Sequence, residues 1–185
     1  MAGHPTDAVP LKRALLLLDF QDDFLNADGR LPVAGQQVGP VLAAARQAVI
    51  DARRRGDLVV AVGNEFKPND HLGNFFRRYA SISGSPGSRW TAELPLAGIP
   101  YFSKCKSSAF TNPLFGSWLQ SHGIEILAIA GLQARACVAA TARDAIARGL
   151  CVELLGDAIA CVSDKSRARA LSNLARRGAA ILHQT

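Results

Sequence analysis

Three residues of types that can together perform nucleophilic chemistry fall where candidate strands end. Asp19 follows an apolar run, Lys104 follows the third candidate strand, and Cys137 stands near the start of a candidate helix after the fourth. In an open α/β sheet, functional side chains collect beyond the carboxyl ends of the strands. The spacing therefore predicts that these three side chains meet at one edge of a sheet.

A cysteine in this setting could act as a nucleophile. A helix N-terminus and a nearby cation both favour thiolate, the attacking form, and so lower the pKa of the thiol. We expect Asp19 to be the general base, Lys104 to orient Asp19 and stabilise the thiolate, and Cys137 to attack an amide or related carbonyl carbon. Backbone N–H groups at the helix start would stabilise the oxyanion. Water activated by Asp19 would then hydrolyse the resulting thioester.

Each residue type also has an ordinary structural role. An aspartate at a strand end commonly caps a turn, a lysine after a strand is commonly solvated, and a buried cysteine usually packs as a small hydrophobic residue. We assign that packing role to Cys105, Cys151 and Cys161. Four cysteines without a C-x-x-C pair favour reduced thiols, and the N-terminus lacks a basic region and cleavage site. We therefore expect a cytoplasmic protein.

The elements that must position these residues alternate between strand and helix. The alternation predicts an α/β fold in which a parallel sheet of six strands is covered by helices on both faces. The candidate strands are 14–19, 57–64, 99–103, 125–131, 150–155 and 179–182, and the candidate helices are 35–55, 113–122, 135–148 and 164–177. The length suits a single domain over residues 1–185, with 1–11 as a flexible tail. Residues 65–100, rich in Pro, Gly and aromatic residues, are expected to form a lid or specificity segment.

Composition excludes several classes of protein. Of the 185 residues, 49% are hydrophobic and 19% charged, which is too apolar for a disordered chain. No apolar run reaches the ~20 residues that a membrane-spanning helix needs. The net charge of +6 comes from basic clusters scattered along the chain, mostly near the ends of candidate helices. We therefore expect a small-molecule substrate rather than nucleic acid or a membrane as the partner.

Four sequence blocks resemble the isochorismatase-like cysteine hydrolase family and occur in the family's order. They are LLLLDFQDDF at 15–24, SKCKSSAF at 103–110, GLQARACVAATARDA at 131–145 and GDA at 156–158. The resemblance implies a three-layer αβα fold and an Asp, Lys, Cys triad, which maps onto Asp19, Lys104 and Cys137. It also implies an oxyanion hole from the N–H groups of Gln133 and Cys137, a cis peptide bond between Leu132 and Gln133, and a homo-oligomer, either dimer or tetramer.

Departures from the family pattern narrow the function. Nicotinamidase-type members resemble one another in a metal-binding Asp-x-His, but the corresponding place here is Asn64-Glu65-Phe66. We therefore expect no metal and no other cofactor, because Asn and Phe do not replace a carboxylate and an imidazole as ligands. Phe24 and Phe66 are the candidate substrate-binding walls, and Arg135 faces either solvent or an anionic substrate group.

The main hypothesis is a metal-independent cysteine hydrolase that cleaves a C–N bond of a small amide, carbamoyl or ureido compound. Two alternatives stay open. One is a vinyl ether hydrolase of the isochorismatase type, although that branch generally lacks the cysteine. The other is a non-catalytic relative that uses its positive charge to bind an anionic partner.

Overall fold

Six apolar segments form one sheet in the structure, a computed structural model that describes residues 11–183. Every neighbouring pair of strands is parallel, in the order β3-β2-β1-β4-β5-β6. The strands are β1 (Arg13–Leu18), β2 (Leu58–Asn64), β3 (Tyr101–Lys104), β4 (Ile126–Gly131), β5 (Cys151–Ile159) and β6 (Ala180–Leu182). The predicted α/β class with a six-stranded parallel sheet is confirmed.

Six α-helices connect or flank these strands. They are α1 (Asp22–Leu25), α2 (Gly35–Arg55), α3 (His71–Phe76), α4 (Pro113–Ser121), α5 (Ala139–Ala147) and α6 (Asp164–Ala175). A π-helical turn, Ala134–Val138, leads directly into α5, and 3₁₀ turns cover Pro86–Ser88 and Ala109–Thr111. The long helix α2 ends at Gly56, whose φ of 77° closes the helix in the left-handed conformation that glycine adopts freely.

Side chains of β1 alternate between two cores, one on each face of the sheet. Leu16 and Leu18 pack in the core that α4, α5 and α6 cover, whereas Leu15 and Leu17 pack in the core that α2 covers. Crossovers between parallel strands are right-handed, so connections that run toward β2 and connections that run toward β5 place their helices on opposite faces. The result is the three-layer αβα arrangement that the resemblance implied.

The strand order changes direction between β1 and β4, and this is where an open α/β sheet leaves a crevice at its carboxyl edge. Leu18 at the end of β1 pairs with Val62 on one side and Gly131 on the other. A Cβ atom on Gly131 would lie 2.7 Å from the Cβ atom of Leu18. Only glycine therefore allows β4 to end this close to β1.

Residues 65–100 fold back onto the turn that follows β1. Phe66 forms an isolated bridge with Ile82, and Gln21 forms another with Trp90. The buried carboxylate of Asp23 accepts hydrogen bonds from the backbone N–H of Ser81 at 2.7 Å and of Arg30 at 3.1 Å. One acidic side chain thus holds this segment against the carboxyl edge of the sheet.

The structure corrects two details of the sequence analysis. Cys105 and Cys151 are exposed, since the first lies in the turn after β3 and the second begins β5, so the packing role is wrong for both; Cys161 is buried as expected. The strand β5 continues to Ile159 because a register shift against β4 absorbs the irregularity around Gly156.

Two expectations concern the ends of the chain and the membrane. The predicted tail at 1–11 lies outside the described residues except for Leu11. Across residues 11–183, we find no helix with the length and apolar character needed to cross a membrane.

Candidate active site

The structure brings the three predicted residues together from the ends of three different strands. Lys104 Nζ donates a hydrogen bond to Asp19 Oδ2 at 3.1 Å, and both side chains are fully buried. Cys137, in the turn after β4, is 7% exposed and lies close enough to Asp19 for each group to shift the pKa of the other. The arrangement places a carboxylate, an ammonium group and a thiol in one buried cluster.

The backbone of Asp19 adopts an uncommon conformation that aims its carboxylate. Its φ of 63° is left-handed, a conformation that costs a non-glycine residue about 1–3 kcal/mol. The Asp19 N–H donates to the carbonyl of Val62 at 2.8 Å, and its own carbonyl accepts from the N–H of Gln21 at 2.8 Å. Within the described residues, the buried Oδ1 atom accepts no hydrogen bond, so it is available to take a proton.

A fourth residue, Asn64, completes the cluster and was not among the residues predicted from the sequence. Its Oδ1 atom accepts from Lys104 Nζ at 2.8 Å, and its Nδ2 atom donates to Cys137 Sγ at 3.5 Å. Gln21 fixes Asn64, accepting from its backbone N–H at 2.7 Å and donating to its carbonyl at 2.8 Å. Asn64 ends the strand beside β1, which is the same signal that identified Asp19.

The electrostatics of the cluster overturn the expectation of a resting thiolate. Burial, followed by the charge of Asp19, raises the pKa of the Cys137 thiol to about 12, and Lys104 offsets this only in part. Burial also raises the pKa of Asp19 above its usual range, against the lowering effect of Lys104. Desolvation outweighs the lysine because Lys104 is already paired with Asp19 and Asn64. The resting nucleophile is therefore a thiol beside a strengthened base.

The turn that carries Cys137 is built by a left-handed residue. Gln133 has φ 60° and ψ 61°, and all peptide bonds of the described residues are trans, so the expected cis bond between Leu132 and Gln133 is wrong. Gln133 Nε2 donates to the carbonyl of Leu31 at 2.8 Å, and the N–H of Ala134 donates to the carbonyl of Ala160 at 3.0 Å. Among residues 11–183, the Gln133 N–H finds no acceptor.

A cavity of about 360 Å³ opens onto Cys137. It is mainly apolar, and the predicted walls Phe24 and Phe66 both line it. The other lining residues are Leu31, Pro32, Asn64, Arg77, Arg78, Ser107, Gln133, Ala136, Cys137 and Val162. Its size suits a small molecule.

The two arginines that line this cavity differ in whether other side chains hold them. The Arg77 guanidinium stacks 4.0 Å from the centre of the Phe66 ring and pairs with Asp70. Arg78 is exposed and forms no ion pair with any carboxylate in the described part of the chain. Arg135 lines a different groove, so it faces away from this cavity.

The residues at the place of the family's metal ligands do not fit a divalent ion. Asn64 uses its amide on Lys104 and Cys137, and Phe66 offers no donor atom. In the described range, no group of three or more His, Cys, Asp or Glu side chains is placed to hold a metal ion.

Comparison with known proteins places these features in a family. The isochorismatase domain family matches residues 13–185. Ureidoacrylate amidohydrolase from Serratia proteamaculans is 30% identical over 73% of this chain and 64% of its own length. Streptothricin hydrolase from Streptomyces noursei is 32% identical over 85% of this chain and 58% of its own length. The match thus spans less than two thirds of either curated relative.

A solved structure extends the comparison to three dimensions. The N-carbamoylsarcosine amidase of Thermoplasma acidophilum superposes with a TM-score of 0.80 at 29% identity, over 94% of this chain and 96% of that one. The sheet order, the strand-end cluster and the family match over nearly the whole chain agree with one another. The chain belongs to the isochorismatase domain family.

Proposed function

We propose that this chain is a cysteine hydrolase that cleaves a non-peptide C–N bond in a small amide, carbamoyl or ureido compound. The observation that carries the proposal is the buried Asp19 carboxylate, paired through Oδ2 with Lys104 and placed beside the Cys137 thiol with Oδ1 free. The names of three relatives, an amidohydrolase, a hydrolase and an amidase, support this reaction class.

The first half of the reaction forms a thioester. Asp19 Oδ1 takes the thiol proton while Cys137 Sγ bonds to the substrate carbonyl carbon, whose oxygen becomes an oxyanion. The N–H groups of Gln133 and Cys137 stabilise that oxyanion. Protonated Asp19 then returns its proton to the nitrogen, the C–N bond breaks, and ammonia or an amine leaves.

The second half releases the acid product. Asp19, again ionised, takes a proton from water, and the hydroxyl adds to the thioester carbonyl in the same oxyanion hole. The C–S bond then breaks and the proton on Asp19 returns to Cys137 Sγ. Because burial raises the pKa of Asp19, its affinity for a proton lies closer to that of the thiol than an exposed carboxylate's would.

The cavity favours a substrate that fits between aromatic walls. Phe24 and Phe66 suit a flat or partly apolar body, and the positive charge of Arg78 on the cavity wall suits an anionic group. A ureido acid combines a carbamoyl nitrogen to be cleaved with such a group. We therefore place ureido acids first among the substrate classes to be assayed.

The test is ammonia release from a panel of amides, carbamoyl compounds and ureido acids, compared between the native protein and Cys137→Ser. We expect the variant to lose activity by at least about a hundredfold. Cys151→Ser, which removes an exposed thiol, is the matched control and should retain activity. Ammonia release that survives in Cys137→Ser would contradict the thioester route.

A further inference from the structure

A second concave site lies on the helical layer formed by α5 and α6, away from the catalytic cavity. It is a groove of about 620 Å³, and five arginines line it: Arg135, Arg143, Arg169, Arg176 and Arg177. We call it the arginine groove. It shares no lining residue with the cavity at Cys137.

The groove follows from helical spacing and from small residues on its floor. Arg135, Ala139 and Arg143 are four residues apart, so they project from one side of the π-helical turn and α5. On α6, Ala170 and Leu174 are buried at the floor. Because alanine fills the floor on both helices, the arginines stand around an open space.

The positive charges of the groove have no carboxylate partners in the described part of the chain. Arg176 donates only to neutral oxygens of Ser172 and Asn173. Elsewhere arginines do find partners, as Arg46 does with Glu93 and Arg77 does with Asp70. Five unbalanced like charges repel one another, and an anion would relieve that repulsion.

We propose that the arginine groove binds a small multivalent anion carrying two or more phosphate or carboxylate groups. Guanidinium groups bind such oxygens with paired hydrogen bonds, and five of them line this groove. The side chains of Ser166 and Asn173 add neutral polar groups to the same wall. The volume lies in the range of small-ligand sites.

Two other occupants fit the geometry less well. A second copy of the chain cannot place the same groove against itself, because a symmetric contact would bring ten arginines together. Nucleic acid would need a continuous basic track, but the exposed arginine cluster Arg53–Arg55 ends α2 on the opposite layer of the fold and does not extend the groove.

The test is calorimetric titration of the full chain with inorganic pyrophosphate at fixed ionic strength. A double variant, Arg169→Gln with Arg177→Gln, should weaken pyrophosphate binding by at least about tenfold. A matched variant, Arg53→Gln with Arg54→Gln, removes the same charge from the opposite layer and should change binding by less than about twofold. Thermal unfolding of both variants confirms that each is folded.

Three results would overturn the proposal. The first is equal weakening of pyrophosphate binding in the two double variants, which would mean that binding depends only on net charge. The second is no binding of pyrophosphate by the native protein at millimolar concentration. The third is tighter binding of a single-stranded oligonucleotide than of pyrophosphate, weakened by both variants, which would indicate a nucleic-acid surface.

Discussion

Two opposing effects act on the pKa of Asp19. Burial favours its neutral form, and the ammonium group of Lys104 favours its charged form, with burial the larger. A carboxylate in this state binds a proton more readily than an exposed one. A general base that deprotonates a thiol with a raised pKa requires this higher affinity for a proton.

The rate at which iodoacetamide labels Cys137 should depend on proton transfer to Asp19 rather than on a pre-existing thiolate. With the thiol pKa raised to about 12, thiolate is negligible near neutral pH, so alkylation needs Asp19 to accept the proton. We therefore expect the labelling of Cys137 to be lost in Asp19→Asn. Peptide mapping measures the labelling of Cys137.

Cys105 and Cys151 act as internal references in that experiment because both are exposed. Because exposed thiols react without help from a buried base, their labelling should be unchanged in Asp19→Asn. Asp22→Asn, which changes the acidic residue at the start of α1 outside the cavity lining, is the matched control for Asp19→Asn. A Cys137 labelling rate that is unchanged in Asp19→Asn would contradict base assistance.

Asn64 should act as a positioning residue, and a charge change there should move the acid limb of the pH profile. In Asn64→Asp, a second carboxylate beside Lys104 raises the pKa of Asp19 further, because like charges disfavour ionisation. The pH at which kcat/KM falls on the acid side should therefore rise by about one unit. Asn64→Ala adds no charge and should lower kcat with a smaller shift; equal shifts in both variants would contradict this role.

Arg78 should select for a negative charge on the substrate. It lines the cavity without a carboxylate partner in the described chain, whereas Arg77 is held by Phe66 and Asp70. Arg78→Gln should raise KM for a ureido acid by about tenfold and leave KM for a neutral amide unchanged. Steady-state kinetics with the two substrates measure this, and an equal loss for both would contradict it.

At this scale the sequence predicts which residues meet but not their protonation states. Asp19, Lys104 and Cys137 are identifiable because charged or nucleophilic side chains at strand ends converge in a parallel sheet. The thiol pKa was predicted in the wrong direction because desolvation depends on burial, which local sequence does not reveal. Asn64 is not identifiable as part of the cluster from the sequence, because an asparagine at a strand end carries neither a charge nor a nucleophile.

The secondary structure elements follow the sequence closely wherever hydrophobic periodicity dominates. The helix predicted at 35–55 is present with those ends, and the ends of the strands around the site differ from the predicted ones by at most two residues. The helix predicted at 135–148 instead begins as a π-helical turn, because the chain must leave β4 through the left-handed Gln133 before α5 can form. Such a turn depends on contacts with Leu31 and Ala160, far away in sequence.

The Asp23 carboxylate should hold the segment 65–100 in place. Asp23→Ala leaves the buried N–H of Ser81 without an acceptor, which costs about 1–3 kcal/mol of unfolding free energy. Urea denaturation measures that loss, and limited proteolysis should show faster cleavage within 65–100. The exposed Asp28→Ala, in the same connection, should do neither; equal behaviour of the two variants would contradict the assignment.

Folding brings together arginines that are dispersed along the sequence. Arg135 and Arg143 belong to a different helical region from Arg169, Arg176 and Arg177, so the sequence shows scattered clusters. Packing of α5 beside α6 merges them into one groove. Sequence patterns within one helix cannot reveal this, since the merger depends on which two helices become neighbours.

Self-association of the whole molecule is a prediction that rests on the family resemblance. We expect the chain to form a dimer or tetramer, and light scattering coupled to size-exclusion chromatography measures its mass. Exposed apolar side chains on α3, such as Phe75 at 66% and Phe76 at 75%, give the surface material for association. A monomer at all accessible concentrations would contradict the expectation.

The strand order also sets when the site can exist as the chain emerges from the ribosome. Asp19 and Lys104 are 85 residues apart, and Asn64 and Cys137 are 73 apart. The turn that aims the thiol is tied to Ala160, at the far end of β5. Contacts this distant form late in folding, because a long loop must close before they do. A nascent chain that stops short of β5 thus carries all four residues of the cluster without the support that makes them chemically competent.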